Sequence, residues 1–340
     1  MNYLNELNEA QRAPVVHKDG AVMVIAGAGS GKTRVLTYRI AYLIQQGVDP
    51  FNILALTFTN KAAREMKERI GRIVGSSEAR NLWMGTFHSV FARILREEAS
   101  KLGFPRDFTI YDQQDSQRLI SAIIKEMGLD KEVYKYKQIA SRISSYKNNL
   151  ITVKAYYENP ELQEADAMAK RPRLGDIYAN YVDRCFKAGA MDFDDLLLRT
   201  NELLNVFPEV LAKYQHRFRY ILVDEYQDTN HSQYLIVRAL ADRFQNICVV
   251  GDDAQSIYAF RGANIDNIFN FQKDYPNVGV YRLEQNYRST KNIVEAANNV
   301  IEHNKARLEK VVWTDNESGN RIMVHRSPTD ADEGRFVAGT

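Results

Sequence analysis

The chain has 340 residues, 45% hydrophobic and 26% charged, a balance that excludes a disordered or fibrous protein and fits about two globular domains. A net charge of +2 gives no global basic field, so any nucleic-acid surface has to be local. Cys185 and Cys248 stand far apart and the six histidines are scattered, which argues against a disulfide framework or a structural zinc and fits a reducing, cytoplasmic setting; no apolar run approaches the ~18 residues of a membrane span.

In chain order, short apolar runs alternate with helical patterns. Ala21–Ile25 reads as a buried strand, followed by a glycine-rich turn and a helix-like stretch, Arg34–Gln46. Ile53–Thr57 leads into Lys61–Ile73, and Leu82–Gly85 into Ser89–Leu102. Tyr220–Val223 precedes Ser232–Phe244, Ile247–Val250 is another apolar run, and Val280–Leu283 precedes Lys291–Asn304. This rhythm predicts an α/β fold, a mostly parallel sheet covered by helices on both faces, with ligands at the carboxyl ends of the strands. From about Gly103 to Gly189 the rhythm breaks into polar helix formers without buried-strand runs, which predicts a mainly helical insertion. Within it, residues 131–157 hold six Lys/Arg against one acid, Glu132, interleaved with Tyr134, Tyr136, Tyr146, Tyr156 and Tyr157, a candidate contact with duplex DNA. At the end, Arg321–His325 reads as a strand and Asp330–Ala338 as a helix; with no partner element following, the chain is expected to be the front part of a longer protein.

Two segments carry phosphate chemistry. Residues 26–33, Ala-Gly-Ala-Gly-Ser-Gly-Lys-Thr, form a turn whose backbone N–H groups can cradle phosphate, with Lys32 reaching the β/γ-phosphates and the Thr33 hydroxyl on Mg²⁺. The run Ile221-Leu222-Val223 delivers Asp224 and Glu225 to the same sheet edge, Asp224 as the metal partner and Glu225 as the base for an attacking water. Paired, they predict an ATP site. Gln11 offers an amide that can read the adenine edge, and Gln255 one that can touch both the γ-phosphate and a DNA-binding segment. Thr59, Asn60, Thr86, His88 and Ser89 are candidate hydrogen-bonding partners of phosphates, helped by helix N-termini.

The motifs follow one another in a specific order: Leu7-Asn8-Glu9-Ala10-Gln11-Arg12, the glycine turn, Thr57-Phe58-Thr59-Asn60-Lys61-Ala62-Ala63, and Gly85-Thr86-Phe87-His88-Ser89. Then come Val223-Asp224-Glu225-Tyr226-Gln227-Asp228, Gly251-Asp252-Asp253-Ala254-Gln255-Ser256-Ile257-Tyr258 and Gln285-Asn286-Tyr287-Arg288-Ser289. In this series the chain resembles the UvrD/Rep/PcrA family of superfamily 1 DNA helicases along essentially its whole length. The resemblance implies a RecA-like ATP-binding domain from residues 1–102 and 190–280, an inserted helical subdomain from 103–189, and the start of a second RecA-like domain from 281–340. It implies an ATP-binding set of Gln11, Ala26, Gly27, Ala28, Gly29, Ser30, Gly31, Lys32, Thr33 and Arg34 with Tyr287 and Arg288. Arg34 and Tyr287 resemble the pair that sandwiches adenine, and Arg288 the arginine on the transferred phosphoryl. Phe58 and Phe260 resemble the family's base-stacking positions, with Tyr258 and Arg261 flanking the second. Phe260 stands where the family usually has tryptophan, Ala26 where the generic loop has glycine, and Ala254 where an acid is common; the last has no functional reading.

The implied activity is an ATP- and Mg²⁺-dependent motor on single-stranded DNA and single/double-strand junctions, unwinding 3′ to 5′ in repair or replication, with no membrane partner. Three other readings stay open. One is a nucleotide- and DNA-binding module that unwinds nothing in isolation; the second is the front half of a recombination helicase–nuclease subunit. A small-molecule P-loop kinase is disfavoured, because Asp224-Glu225 with Gln227 and Gln255 suits water activation.

Overall fold

Along each central strand, alternate residues enter two different cores. Met23, Ile25, Leu54, Leu56, Ile221, Val223, Ile247 and Val249 share one cluster; Val22, Val24, Ile53, Ala55, Leu222, Cys248 and Val250 share the other. A strand whose two faces are both covered reads as an unbroken apolar run, which is why these segments were legible as strands. The computed structural model describes residues 3–305 and 307–339, with the Arg261 side chain outside the description.

The elements run α1 (Glu9–Val16), β1 (Val22–Ala26), α2 (Lys32–Gln45), β2 (Ile53–Thr57), α3 (Asn60–Val74), α4 (Ser76–Asn81), β3 (Trp83–Thr86) and α5 (Phe87–Glu98). The middle of the chain holds β4 (Thr109–Tyr111), α6 (Gln113–Glu126), α7 (Tyr136–Asn148), α8 (Val153–Tyr157), α9 (Pro160–Met168), α10 (Leu174–Lys187), β5 (Ala190–Asp192), α11 (Phe193–Val206) and α12 (Pro208–Arg217). Then follow β6 (Tyr220–Val223), α13 (His231–Ala241), β7 (Ile247–Gly251), α14 (Asp266–Asp274), β8 (Gly279–Leu283), α15 (Lys291–Ile301) and α16 (Asp330–Gly339). A six-stranded sheet has the order β3-β2-β6-β7-β1-β8 with every neighbouring pair parallel, so all carboxyl ends lie along one edge. No helix among the described residues is long and apolar enough to cross a membrane.

The expected insertion is helical, with its own core of Ile120, Ile123, Ile139, Ile143, Tyr146, Leu174, Ile177 and Tyr181. Its neck differs from expectation: β4 and β5 pair in parallel, Thr109↔Ala190 to Tyr111↔Asp192. Strands of three residues are too short to show a period. Much of the Lys/Tyr-rich stretch is also core rather than surface, because Tyr134, Tyr146, Tyr156 and Lys147 are buried. Two further expectations shift. Arg321–His325 is not a strand; it forms no β-pairing among the described residues, and Ile322, Met323 and Val324 stay exposed. The division expected at 280/281 runs through β8, which is hydrogen-bonded into the first sheet in the register Val22↔Gly279 to Ala26↔Leu283.

Candidate functional site

The glycine turn leaves β1 and enters α2 through Gly29 and Gly31, whose φ angles of 69° and 89° lie where side chains are strained. A Cβ on Gly31 would sit 2.7 Å from Gln11 Nε2, and one on Gly29 2.9 Å from both Arg288 Cβ and Asn286 Nδ2. The loop's carbonyls are taken by its surroundings. Gln11 Nε2 donates to Ser30 O (2.9 Å), Asn286 Nδ2 to Ala28 O (2.7 Å), Tyr287 N to Gly29 O (3.0 Å), and Ser30 Oγ to Gly27 O (2.7 Å). Carbonyls held outward leave the open N–H groups of the first turn of α2 for an anion, reinforced by the helix dipole.

Two strands away, β6 ends in the acids. Asp224 is buried, and Glu225, at φ 48°, turns its carboxylate onto Lys32, with Nζ to Oε2 at 2.8 Å. Gln227 Nε2 donates to Glu225 Oε2 (2.9 Å) while its Oε1 accepts from Asp252 N (3.0 Å). Gln255 Nε2 donates to Asp252 Oδ2 at 2.5 Å. One hydrogen-bonded chain thus joins Lys32, Glu225, Gln227, Asp252 and Gln255 across β1, β6 and β7. Burial pushes the Asp224 carboxyl up to about 7, with the Glu225 charge adding and Lys32 opposing. Asp228 rises to about 6 for the same reasons. The chemistry fits Mg²⁺ bound through phosphates and few protein ligands, since Thr33 and Asp224 both offer hard oxygens.

Around the turn, the structure brings most of the expected ATP residues together. Ala26 is the buried last residue of β1 and Thr33 the second of α2. Gln11 is occupied at the loop carbonyl and in the Asn8 capping box. The Arg34 guanidinium lies 6.0 Å over the Tyr38 ring, and Asn8 Nδ2 donates to the Tyr287 hydroxyl at 2.7 Å. Arg288 is exposed beside Gly29.

The expected DNA residues sit at the ends of β2 and β3 and in the loop after β7. Phe58 is half-buried, its ring 5.4 Å from Phe87, whereas Phe260 is 77% exposed with its ring 6.0 Å from Tyr258. That exposure removes core packing as an account of Phe260. Thr59 caps α3 by accepting from Ala62 N, and Thr86 caps α5 by accepting from Ser89 N. Asn60 and Ser89 are exposed at those two helix starts. His88 packs edge-on to Phe193, and burial lowers its pKa, so the ring is neutral at pH 7. Arg261 lies in a short 3₁₀ turn, Ala259–Arg261; its side chain lies outside the described residues. Sequence reasoning gave no role to Asn286, and it missed Asn8 and Lys310. Lys310 sits 2.9 Å from Asp252 and 2.6 Å from Asp253. No local pattern marks it.

The profile of the UvrD/REP helicase N-terminal domain matches residues 7–276, and that of the UvrD-like helicase C-terminal domain matches 281–340. The chain belongs to the UvrD/REP helicase family. Its α/β fold is accordingly the RecA-like one of that family. Among UvrD-family relatives, the ATP-dependent DNA helicase PcrA of Bacillus subtilis is 49% identical over 345 aligned positions, covering 100% of this chain and 46% of the relative. PcrA of Staphylococcus aureus (strain Mu50) is 46% identical over 98% of this chain and 45% of its own length, and PcrA of Leuconostoc citreum 45% identical over 98% and 44%. The chain spans somewhat under half the length of these curated relatives.

Proposed function

We propose that this chain is the ATP- and DNA-binding part of an ATP-dependent single-strand DNA translocase that unwinds duplex 3′ to 5′ in repair or replication. The observation that carries the reading is the Lys32–Glu225 contact at 2.8 Å, wired through Gln227 to Asp252 and Gln255. The similar proteins are named ATP-dependent DNA helicases, which fits the same reading. The domain division is part of the same reading: 1–102 with 190–280 binds ATP, 103–189 is the insertion, and β8, which completes the first sheet, hands the chain over to the rest of 281–340.

The triphosphate competes with Glu225 for Lys32. When the phosphates take the ammonium, Glu225 is released to accept a proton from the water attacking the γ-phosphorus. Arg288 supplies positive charge to the transferred phosphoryl, and Gln255 reports its presence to the 258–261 loop. Thr33 and Asp224 would hold Mg²⁺, which when bound neutralises charge on the phosphate oxygens. On the DNA side, Phe260 and Phe58 stack bases without regard to sequence, while Thr59, Asn60, Thr86, His88 and Ser89 bond the backbone. Of the exposed part of the basic stretch, Lys131, Lys135, Lys137 and Tyr136 line an open cavity of about 470 Å³ and form the contact for the duplex side of a junction.

Release of ADP and phosphate, measured with and without oligo-dT, tests the reading. Turnover should rise with DNA and fall at least ~100-fold in Glu225→Gln with nucleotide affinity retained. Candidate phosphoryl acceptors should leave the products unchanged, in contrast to a kinase. Undiminished turnover in Glu225→Gln, or none of the rise with DNA, would overturn it.

A further inference from the structure

Lys310 lies on the segment after α15, outside every motif above, yet its side chain is only 8% exposed. Its ammonium is held 2.9 Å from Asp252 Oδ1 and 2.6 Å from Asp253 Oδ1, and Leu308 N donates to Asp253 Oδ2 at 3.0 Å. The segment itself is fixed to the end of β8. Arg282 Nε donates to Glu309 O (2.8 Å), Val311 N to Glu284 Oε1 (2.8 Å) and Trp313 N to Glu284 O (2.9 Å). Val312 presses on the glycine turn, where a Cβ at Gly27 would come within 2.6 Å of its Cγ2.

The two acids are buried neighbours, each 3% exposed. Without a cation, two adjacent carboxylates buried in that position would repel each other and be left unpaired, so the pair would move apart. Asp252 is the residue that grips Gln255, Oδ2 accepting from Nε2 at 2.5 Å, while its Oδ1 accepts from Ala254 N at 3.0 Å. We infer that Lys310 is a positioning residue for hydrolysis: it holds the Asp252 carboxylate in place, and Asp252 in turn aims Gln255. The consequence for ATP turnover rests on the role proposed for Gln255 above; the positioning itself does not. The 281–340 segment thereby holds the Asp252–Gln255 turn from behind, while Asn286 and Tyr287 of the same segment hold the glycine turn.

Side-chain amide NMR on protein carrying ¹⁵N only in glutamine reads this directly, with Gln255 assigned by its loss in Gln255→Met. In Lys310→Met the Gln255 amide signals should move to the positions of exposed glutamines, and in Lys310→Arg they should stay. The Gln233 amide, which bonds Asn230 N at 3.0 Å away from this cluster, checks that each variant is folded. Lys310→Gln, which removes the charge but keeps most of the buried volume, serves if Lys310→Met does not fold. Turnover in either neutral variant should drop about tenfold in kcat at unchanged KM. Gln255 signals unmoved in a folded neutral variant would overturn the proposal. Moved signals with unchanged kcat would instead leave Lys310 as the positioning group and remove Gln255 from hydrolysis.

Discussion

Asp224 is the most perturbed acid of the proposed nucleotide site. Burial first, then the Glu225 charge, lift its carboxyl to about 7, and Lys32 only partly offsets them. Because the folded-state value is raised, the metal-free fold loses stability as pH climbs from the ordinary carboxylate range through 7. In the role proposed for Asp224 as metal partner, a divalent cation reverses the balance, so binding Mg·ATP would expel the proton wherever Asp224 still carries it. Calorimetry in buffers of different ionisation heat should count close to one proton released at about pH 6 and almost none at about pH 8.5. Equal release at both would contradict the assignment of Asp224 as metal partner. At this scale the sequence was legible where chemistry sits in contiguous motifs. Lys32, Thr33, Asp224 and Glu225 announce themselves by neighbours. The Asn286 bond to Ala28 spans 258 positions and the Lys310 bond to Asp253 spans 57, and no local pattern encodes either.

Among the elements, strands buried on both faces were read to within a residue or so, because an unbroken apolar run of four or five residues has no other use in an α/β sheet. β4 and β5 escaped at three residues each, and Arg321–His325 misled because composition alone does not supply a pairing partner. The helix starts are set by caps. Thr59 and Thr86 each close a first turn at the carboxyl end of a strand, which leaves helix N-termini beside the proposed DNA track. The two phenylalanines at that track differ in setting, and the difference is testable. Phe260→Ala removes an exposed ring and should weaken oligo-dT binding by about 1–3 kcal/mol with stability and nucleotide affinity unchanged. Phe58→Ala strips a ring packed against Phe87 and should lower both DNA affinity and the melting temperature. Fluorescence anisotropy and thermal melts separate the two; unchanged DNA affinity in Phe260→Ala would remove that loop from the track.

For the whole molecule, the strand order is what brings the pieces into one device. With β3-β2-β6-β7-β1-β8 all parallel, the glycine turn, the acids, the Asp252 turn and the Thr59 and Thr86 caps all fall on one edge. That architecture was legible from strand–helix alternation; the attachment of the insertion was not. There, Lys147 of α7 is fully buried, 2.7 Å from Asp192 and 2.9 Å from Asp195 at the start of α11, beside the β4–β5 pair. In the sequence Lys147 reads as one more charge of a basic face, because its two acidic partners lie over forty residues away. Lys147→Met would strand two buried carboxylates and should cost roughly 3–5 kcal/mol in urea unfolding while leaving nucleotide binding to the folded protein intact. A loss below about 1 kcal/mol would mean that this clamp does not fasten the insertion.

In the proposed reading, the glycine turn and the acid pair form a nucleotide site linked to single-stranded DNA. Titration of a non-hydrolysable ATP analogue with Mg²⁺, with and without saturating oligo-dT, on the wild-type chain and on Lys32→Ala, tests it most directly. The expected result is an analogue affinity that changes when DNA is bound, and that drops at least ~100-fold in Lys32→Ala while DNA affinity without nucleotide is unchanged. Wild-type analogue affinity in Lys32→Ala, or an affinity indifferent to DNA, would contradict it.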